Sequence, residues 1–261
     1  MLELFHWEPN CGSLKVLVAL HEKGLDFTSR WVDFVSLDQY GLAPFADPEA
    51  AITIEGEAPV LVHDGAVISD SFNTILYLDE AFAAPALQPA TAEGQWRIQV
   101  WARQFAEVLA PAVCTLGCQR YLTAALAQRD RAALGARAAK IAVQERRTAW
   151  EAALTGSYPE AQLEDSRRKV GLVLAKVEAA LAQSDWLLTT GYSLADIDLF
   201  GLANPLPALV PDVVGAAALP RFNAWLERVR ARPAVRAALA RSRSGHPEQA
   251  FAPGPEHSRW G

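Results

Sequence analysis

The 261-residue chain is short of sulfur and of positive charge: it has three cysteines, one methionine and a net charge of −6. An odd number of cysteines with no secretory leader excludes a disulfide framework. Cys114 and Cys118 have no neighbouring histidine, so no metal site is expected there, and buried helical thiols are. The acidic balance argues against a nucleic-acid binder, which needs a clustered cationic face. The one basic cluster, Arg221, Arg228, Arg230, Arg232, Arg236, Arg241 and Arg243, falls among apolar residues at helical spacing and reads as a solvated face. No apolar run reaches the roughly 18 to 20 residues of a membrane span. Glu3 and His6 interrupt any signal-peptide core, so a cytoplasmic location is expected. One absence is local. Between Arg30 and His63 there is no Lys, Arg or His, while Asp33, Asp38, Asp47, Glu49, Glu55 and Glu57 fall in that stretch.

What is present suffices for a large core: 51% of residues are apolar, and eight are tryptophan. Met1 to Trp7 alternates as a half-buried strand does, and Leu14, Leu17, Val18 and Leu20 then recur at helical spacing. The joint between them, Asn10-Cys11-Gly12-Ser13, lies at a helix N-terminus, where unpaired N–H groups favour an anion such as a thiolate. Ser13 adds a hydroxyl donor there, unless it or Asn10 merely caps the helix. Phe27 to Val35 reads as a second strand, parallel to the first across a βαβ unit. Residues 36–57 read as irregular helix or loop. Ala58 to Ile68 then reads as a hairpin turning at Asp64-Gly65, with Pro59 inviting a cis bond. A further helix begins behind Ser69-Asp70-Ser71, a second anion-binding end.

This order specifies a small mixed sheet with helices on both faces, over residues 1–80. A proline-broken linker follows at 81–93, then an all-helical region at 94–241 and a tail at 242–261 that is disordered or closes as a lid. Helices are expected near 92–127, 129–154, 159–183, 194–209, 217–231 and 233–242. Ser193 and Asp196 have capping-box spacing, a folding signal rather than a catalytic one.

Taken together, Ala58-Pro59, Asp70-Ser71, the linker and the Ser193-Leu-Ala-Asp196 box resemble a glutathione transferase along nearly the whole chain. The resemblance implies a thioredoxin-like N-terminal domain followed by an all-helical C-terminal domain. Gly12-Ser-Leu-Lys15, Arg168-Lys-Val-Gly171 and Thr190-Gly-Tyr-Ser-Leu-Ala-Asp-Ile197 further resemble the bacterial β-etherases, which cleave β-aryl ethers of lignin-derived dimers with glutathione. By that resemblance Ser13 is catalytic and hydrogen-bonds the glutathione sulfur. Ala58 and Pro59 meet the cysteinyl backbone, and Asp70 and Ser71 hold the γ-glutamyl end. An aromatic substrate lies against Trp7, Trp101, Phe105, Cys114, Cys118, Tyr121 and Asn204. A dimer is implied, either of identical chains or with a paralogous transferase.

The sequence also departs from the pattern. Relatives place cationic or amide groups where this chain has Glu55 and Glu57, and their Asn-Pro is replaced by Thr53-Ile54. The glycyl carboxylate is then held by Gln39, by backbone or by a partner subunit, or glutathione binds poorly. Three alternatives to β-ether cleavage remain: a supporting subunit of a heterodimer, a transferase acting on other aromatics, and thiol chemistry or dehalogenation through Cys11. That cysteine otherwise reads as a small turn residue.

Overall fold

The computed structural model describes residues 1–46 and 58–253. Four strands form one sheet in the order β2-β1-β3-β4, comprising β1 (Leu2–His6), β2 (Thr28–Trp31), β3 (Val60–His63) and β4 (Ala66–Ile68). β1 pairs parallel with β2, as a crossover through a helix requires, and antiparallel with β3. Asp64 and Gly65 both take positive φ, at 49° and 91°, which is what a two-residue hairpin turn demands. β2 is shorter than the expected 27–35. Asp33 and Ser36 curl the chain after Val32 into a turn, with the Asp33 carboxylate accepting from the Val35 and Ser36 amides. Residues 36–46 hold two short 3₁₀ turns, Asp38–Gly41 and Ala43–Phe45. Asp47, Glu49, Thr53, Ile54, Glu55 and Glu57 lie outside the described residues.

Helix α1 (Cys11–Glu22) is buried continuously from Ser13 to Leu20, because the sheet covers one side and the helical region the other. A helix apolar on all sides is the signature of such a position. Helix α2 (Ser71–Ala81) flanks it. The linker is pinned by two fully paired charges: Lys23 Nζ donates to Asp79 and to the Pro85 carbonyl, both at 2.7 Å, and Asp79 accepts from the amides of Leu87 and Gln88.

The helical region begins with α3 (Ala92–Gln104), α4 (Ala110–Gly117) and α5 (Thr123–Leu126), joined end to end through π-helical turns at Phe105–Leu109 and Cys118–Leu122. Next come α6 (Arg131–Ala138), α7 (Gln144–Thr155) and α8 (Glu160–Ala180). They are followed by α9 (Leu194–Ala203), α10 (Leu206–Leu209), α11 (Pro220–Arg230) and α12 (Pro233–Leu239). The single helix expected over 129–154 is two: the chain breaks at 139–143, and Arg147 donates to the freed carbonyls of Ile141 and Ala142. The one expected over 194–209 is also divided, at Asn204-Pro205, where proline cannot donate to the preceding turn. Trp150, Trp225, Phe105, Phe200 and Phe222 fill the core.

The domains meet along α1, α9 and α12. Gly201 lets them close: a Cβ there would lie 2.6 Å from Lys15 Cγ and 2.7 Å from the Cys11 carbonyl oxygen. Across the same seam Lys15 Nζ stands 2.5 Å from Asp198, and Arg232 grips Glu22 with two hydrogen bonds. The arginines read as a solvated face are therefore partly clamps. Arg232 lies over the Tyr192 ring, Arg241 over Phe27 and Arg243 over Trp31. Among the described residues no helix is long and apolar enough to cross a membrane, and no group of His, Cys, Asp or Glu is arranged to hold a metal.

Candidate active site

A cavity of about 500 Å³ opens between the sheet domain and the helices. Its floor is the N-terminus of α1. Asn10 is the N-cap residue, yet its side chain makes no capping bond; its Nδ2 donates instead to the Ala250 carbonyl at 2.9 Å, and its buried Oδ1 has no partner among the described residues. The first-turn N–H groups are thus left to the cavity, where the helix dipole favours negative charge. Ser13 lines this floor and is 5% exposed. Its Oγ accepts the Trp7 N–H at 3.3 Å, so the hydroxyl keeps its own proton for donation.

Gly12 shows how tightly the floor is built. A Cβ there would meet the Ala58 carbonyl oxygen and Pro59 Cδ at 3.1 Å and Ser71 Cβ at 3.3 Å. Three elements therefore converge on one point: the start of α1, the Ala58–Pro59 turn, whose bond is cis, and the start of α2. Asp70 caps α2 by accepting the Asn73 N–H at 2.9 Å, with its own φ at 67°, and both Asp70 and Ser71 line the cavity. Gln39 lines it too, buried, with its Oε1 lacking a partner among the described residues.

The missing cations of the N-terminal segment come from the helical region, Arg129 from the bend before α6 and the others from α6 and α7. Burial works against the charge of Asp33, but hydrogen bonds from Ser36 and Arg129 outweigh it and hold the carboxyl below the usual range. Arg137 donates to Asp38 and to the Leu37 carbonyl. Arg146 of α7, 4% exposed, forms part of the cavity wall. None of these arginines was a candidate from sequence, since nothing local to an arginine marks it as meeting a turn a hundred residues earlier.

The tail also closes the site. Glu8 accepts from Ser242 Oγ and from the amides of Arg243 and Ser244, and beyond them Ala250, Phe251, Ala252 and Pro253 line the cavity. Phe251 is buried against Gly117, where a Cβ would come within 2.3 Å of its ring, and it stacks on Tyr121. Residues 242–253 are therefore a strap across the cleft; 254–261 lie outside the described residues.

Of the expected site residues, Trp7, Ser13, Gln39, Ala58, Asp70, Ser71 and Cys114 line the cavity. Trp101, Phe105, Cys118, Tyr121 and Asn204 do not, and each has a physical reason. Phe105 and Cys118 are buried in the helical core, and Trp101 stacks on Phe105. Tyr121 lies behind Phe251, and Asn204 accepts from Arg230 at a separate surface groove. Pro59 supports the turn from behind Ala58. Cys11 lines the cavity, but burial pushes its thiol up to about 12, so it is not a ready thiolate.

A four-stranded mixed sheet, a hydroxyl at an open helix N-terminus and a helical partner domain give the fold of a two-domain protein with an anion-ready cleft between its parts. Sequence comparison gives the particular family: the N-terminal domain model of glutathione S-transferases matches residues 11–81 and the C-terminal domain model matches residues 133–233, so the chain belongs to that family. Glutathione is its co-substrate. The chain is 32% identical over 248 residues to Protein LigF of Sphingobium sp. strain SYK-6, covering 93% of this chain and 94% of that protein. The crystal structure of beta-etherase LigF from the same organism superposes with a TM-score of 0.83, at 32% identity, covering 92% of this chain and 99% of that one. A glutathione transferase from Burkholderia graminis, crystallised with two glutathione molecules bound per subunit, shares the fold at 22% identity and a TM-score of 0.67, covering 94% of this chain and 89% of that one.

Proposed function

We propose that the chain cleaves β-aryl ether bonds of lignin-derived aromatic ketone dimers by attack of the glutathione thiolate. The single observation that supports this most is the pairing of an open α1 N-terminus with the Ser13 hydroxyl, in a cavity whose helical wall mixes small and apolar residues such as Ala102, Ala106, Ala110 and Leu202 with polar ones such as Gln99 and Arg103. The full-length likeness to LigF supports this reaction over other glutathione transfers. A free thiol has a pKa of about 8.5, and lowering it by two units takes about 2.7 kcal/mol of preferential thiolate stabilisation. One hydroxyl donor and a helix N-terminus are of that order.

The fit to the tripeptide is chemical. Ser13 faces its sulfur, Ala58 offers backbone to its cysteinyl unit, and Asp70 with the start of α2 takes the γ-glutamyl ammonium and carboxylate. Its glycyl carboxylate lies toward Gln39 and the buried Arg146 guanidinium, which answers the acidity of the N-terminal segment. In the reaction a C–S bond forms at the carbon bearing the ether while the C–O bond breaks. The departing phenolate takes up a proton, and a glutathione thioether remains. Holding thiolate and carbon in line supplies much of the rate. The strap at Ala250 to Pro253 keeps water from that line. The protein acts as a cytoplasmic dimer, to which Trp96 and Val100, exposed one turn apart on α3, offer an apolar face.

Turnover of a β-aryl ether ketone dimer with glutathione tests the proposal. Phenol release that falls roughly 100-fold in Ser13→Ala is expected; no phenol from either protein refutes it. A second reading, a supporting subunit of a paralogous transferase, is motivated by the acidic segment, but Arg129 and Arg137 already engage its Asp33 and Asp38. A homodimer active on its own removes that reading.

A further inference from the structure

All three cysteines of the chain meet at one wall of the cavity, though two lie in the helical region and one starts α1. Cys11 and Cys114 both line the cavity and stand close enough for a charge on one to disfavour a charge on the other. Cys118 is buried behind Cys114, with its Sγ 3.9 Å from the Cys114 Sγ. The Cys114 thiol donates to the Ala252 carbonyl of the strap at 3.4 Å. It is the sulfur that faces both the glutathione cavity and a second thiol.

We propose that Cys114 is a modification site that takes a glutathionyl group from glutathione disulfide entering the cavity, and that Cys118 resolves it to a Cys114–Cys118 disulfide. In the first step the Cys114 sulfur, giving up its proton, attacks one sulfur of glutathione disulfide. That S–S bond breaks, a Cys114–glutathione bond forms, and one glutathione leaves as a thiolate that collects the proton. In the second step the Cys118 sulfur attacks Cys114 in the same way and releases the other glutathione. One glutathione disulfide and two protein thiols become two glutathiones and one protein disulfide, so electrons and protons balance.

Geometry allows the second bond. Residues four apart on a helix have Cα atoms about 6 Å apart, inside the roughly 4.4–6.8 Å range of disulfides, and the sulfurs must close to about 2.05 Å. The helix leaves its i→i+4 register at Cys118, where the π-helical turn begins, and this gives the backbone room to adjust. A bond that bends a helix is readily reduced, so excess glutathione reverses it. Cys11 lines the cavity too, but burial disfavours its thiolate, and the short sulfur–sulfur approach is the one between Cys114 and Cys118. An oxidised Cys114 cannot donate to Ala252, so the strap loses a tie over the cavity it closes. The proposal draws on glutathione binding, not on the ether reaction.

The test is to incubate the purified protein with glutathione disulfide and follow intact mass, mapped cysteine peptides and hydrogen exchange of the strap. The expected outcome is a transient gain of one glutathionyl group at Cys114, then loss of two hydrogens with Cys114 joined to Cys118. Strap amides near Ala252 then exchange roughly fivefold faster, about the worth of one hydrogen bond. Cys118→Ser should stop at the mixed disulfide, and Cys11→Ser should react as the wild type does. Three unmodified thiols in the wild type, or glutathione carried first by Cys11, would overturn the assignment. A null result in wild-type protein that still turns over glutathione refutes this proposal and leaves the transferase reading standing.

Discussion

Two helix starts in this molecule solve the same problem in opposite ways. At α9 the Ser193 side chain accepts the Ala195 N–H, while the Asp196 carboxylate accepts from the amides of Ser193 and Leu187 and from the Trp225 indole. Every polar group is consumed, and the box lies wholly inside the helical core. At α1 the N-cap side chain turns away to hold the tail, and the first-turn amides face a cavity. A closed helix start anchors a fold, whereas an open one leaves its dipole for a ligand.

The comparison can be broken first at α9. Asp196→Ala strands four buried donors, the amides of Ser193 and Leu187, the Ser193 hydroxyl and the Trp225 indole, and unfolding in urea should show a loss of about 3–5 kcal/mol. A loss under about 1 kcal/mol would mean the box is not the anchor. Its titration sharpens the point. Burial raises the Asp196 carboxyl to about 6 despite four hydrogen bonds to it. Because the folded value lies above the unfolded one of about 3.9, the folded state holds the extra proton, and the cost of the buried charge is relieved as pH falls through 6. Measured relative to Asp196→Asn, the wild type should gain about 1 kcal/mol of stability between pH 7 and pH 5. A gain on raising the pH over that range would reverse the assignment.

At α1 the effect moves from stability to chemistry. Ser13→Ala should leave the unfolding midpoint nearly unchanged, while the ultraviolet absorbance of bound glutathione thiolate titrates one to two units higher, about 1.4–2.7 kcal/mol. An unshifted titration would mean the helix end alone holds the sulfur. The smallest effect belongs to Asn10→Ala. An N-cap residue truncated to alanine typically costs about 1 kcal/mol. Here the side chain caps nothing, so thermal unfolding should move by less than about 0.5 kcal/mol, while exchange at the strap near Ala250 quickens. A full capping penalty would show that Asn10 returns to its helix in solution.

Much of this contrast is written in local sequence. Ser193 and Asp196 are three residues apart and close their own box; Gly12 and Ser13 come after a strand and open a helix. The Asp64-Gly65 turn and the parallel pairing of β2 with β1 are equally local consequences. The substrate wall was less legible. The π-helical turn at Phe105–Leu109 carries an added residue and rotates the helix beyond it by about 100°, so helical periodicity could not say that Cys118 points into the core. Trp101 is spent on Phe105 and Tyr121 on Phe251, pairings that only packing creates.

By itself the sequence determined the order of elements, the two anion-ready helix ends and the cap that anchors α9, because turns, caps and periodicity act over a few residues. The tertiary structure alone decided which charges meet. Arg129 and Arg137 reach Asp33 and Asp38 across some hundred positions, Lys15 meets Asp198 where Gly201 lets two helices close, and Glu8 ties down the strap. Such contacts carry no local pattern, since they are fixed by how α1, α9 and α12 pack, and that packing sets the walls of the cavity in which the chemistry is proposed.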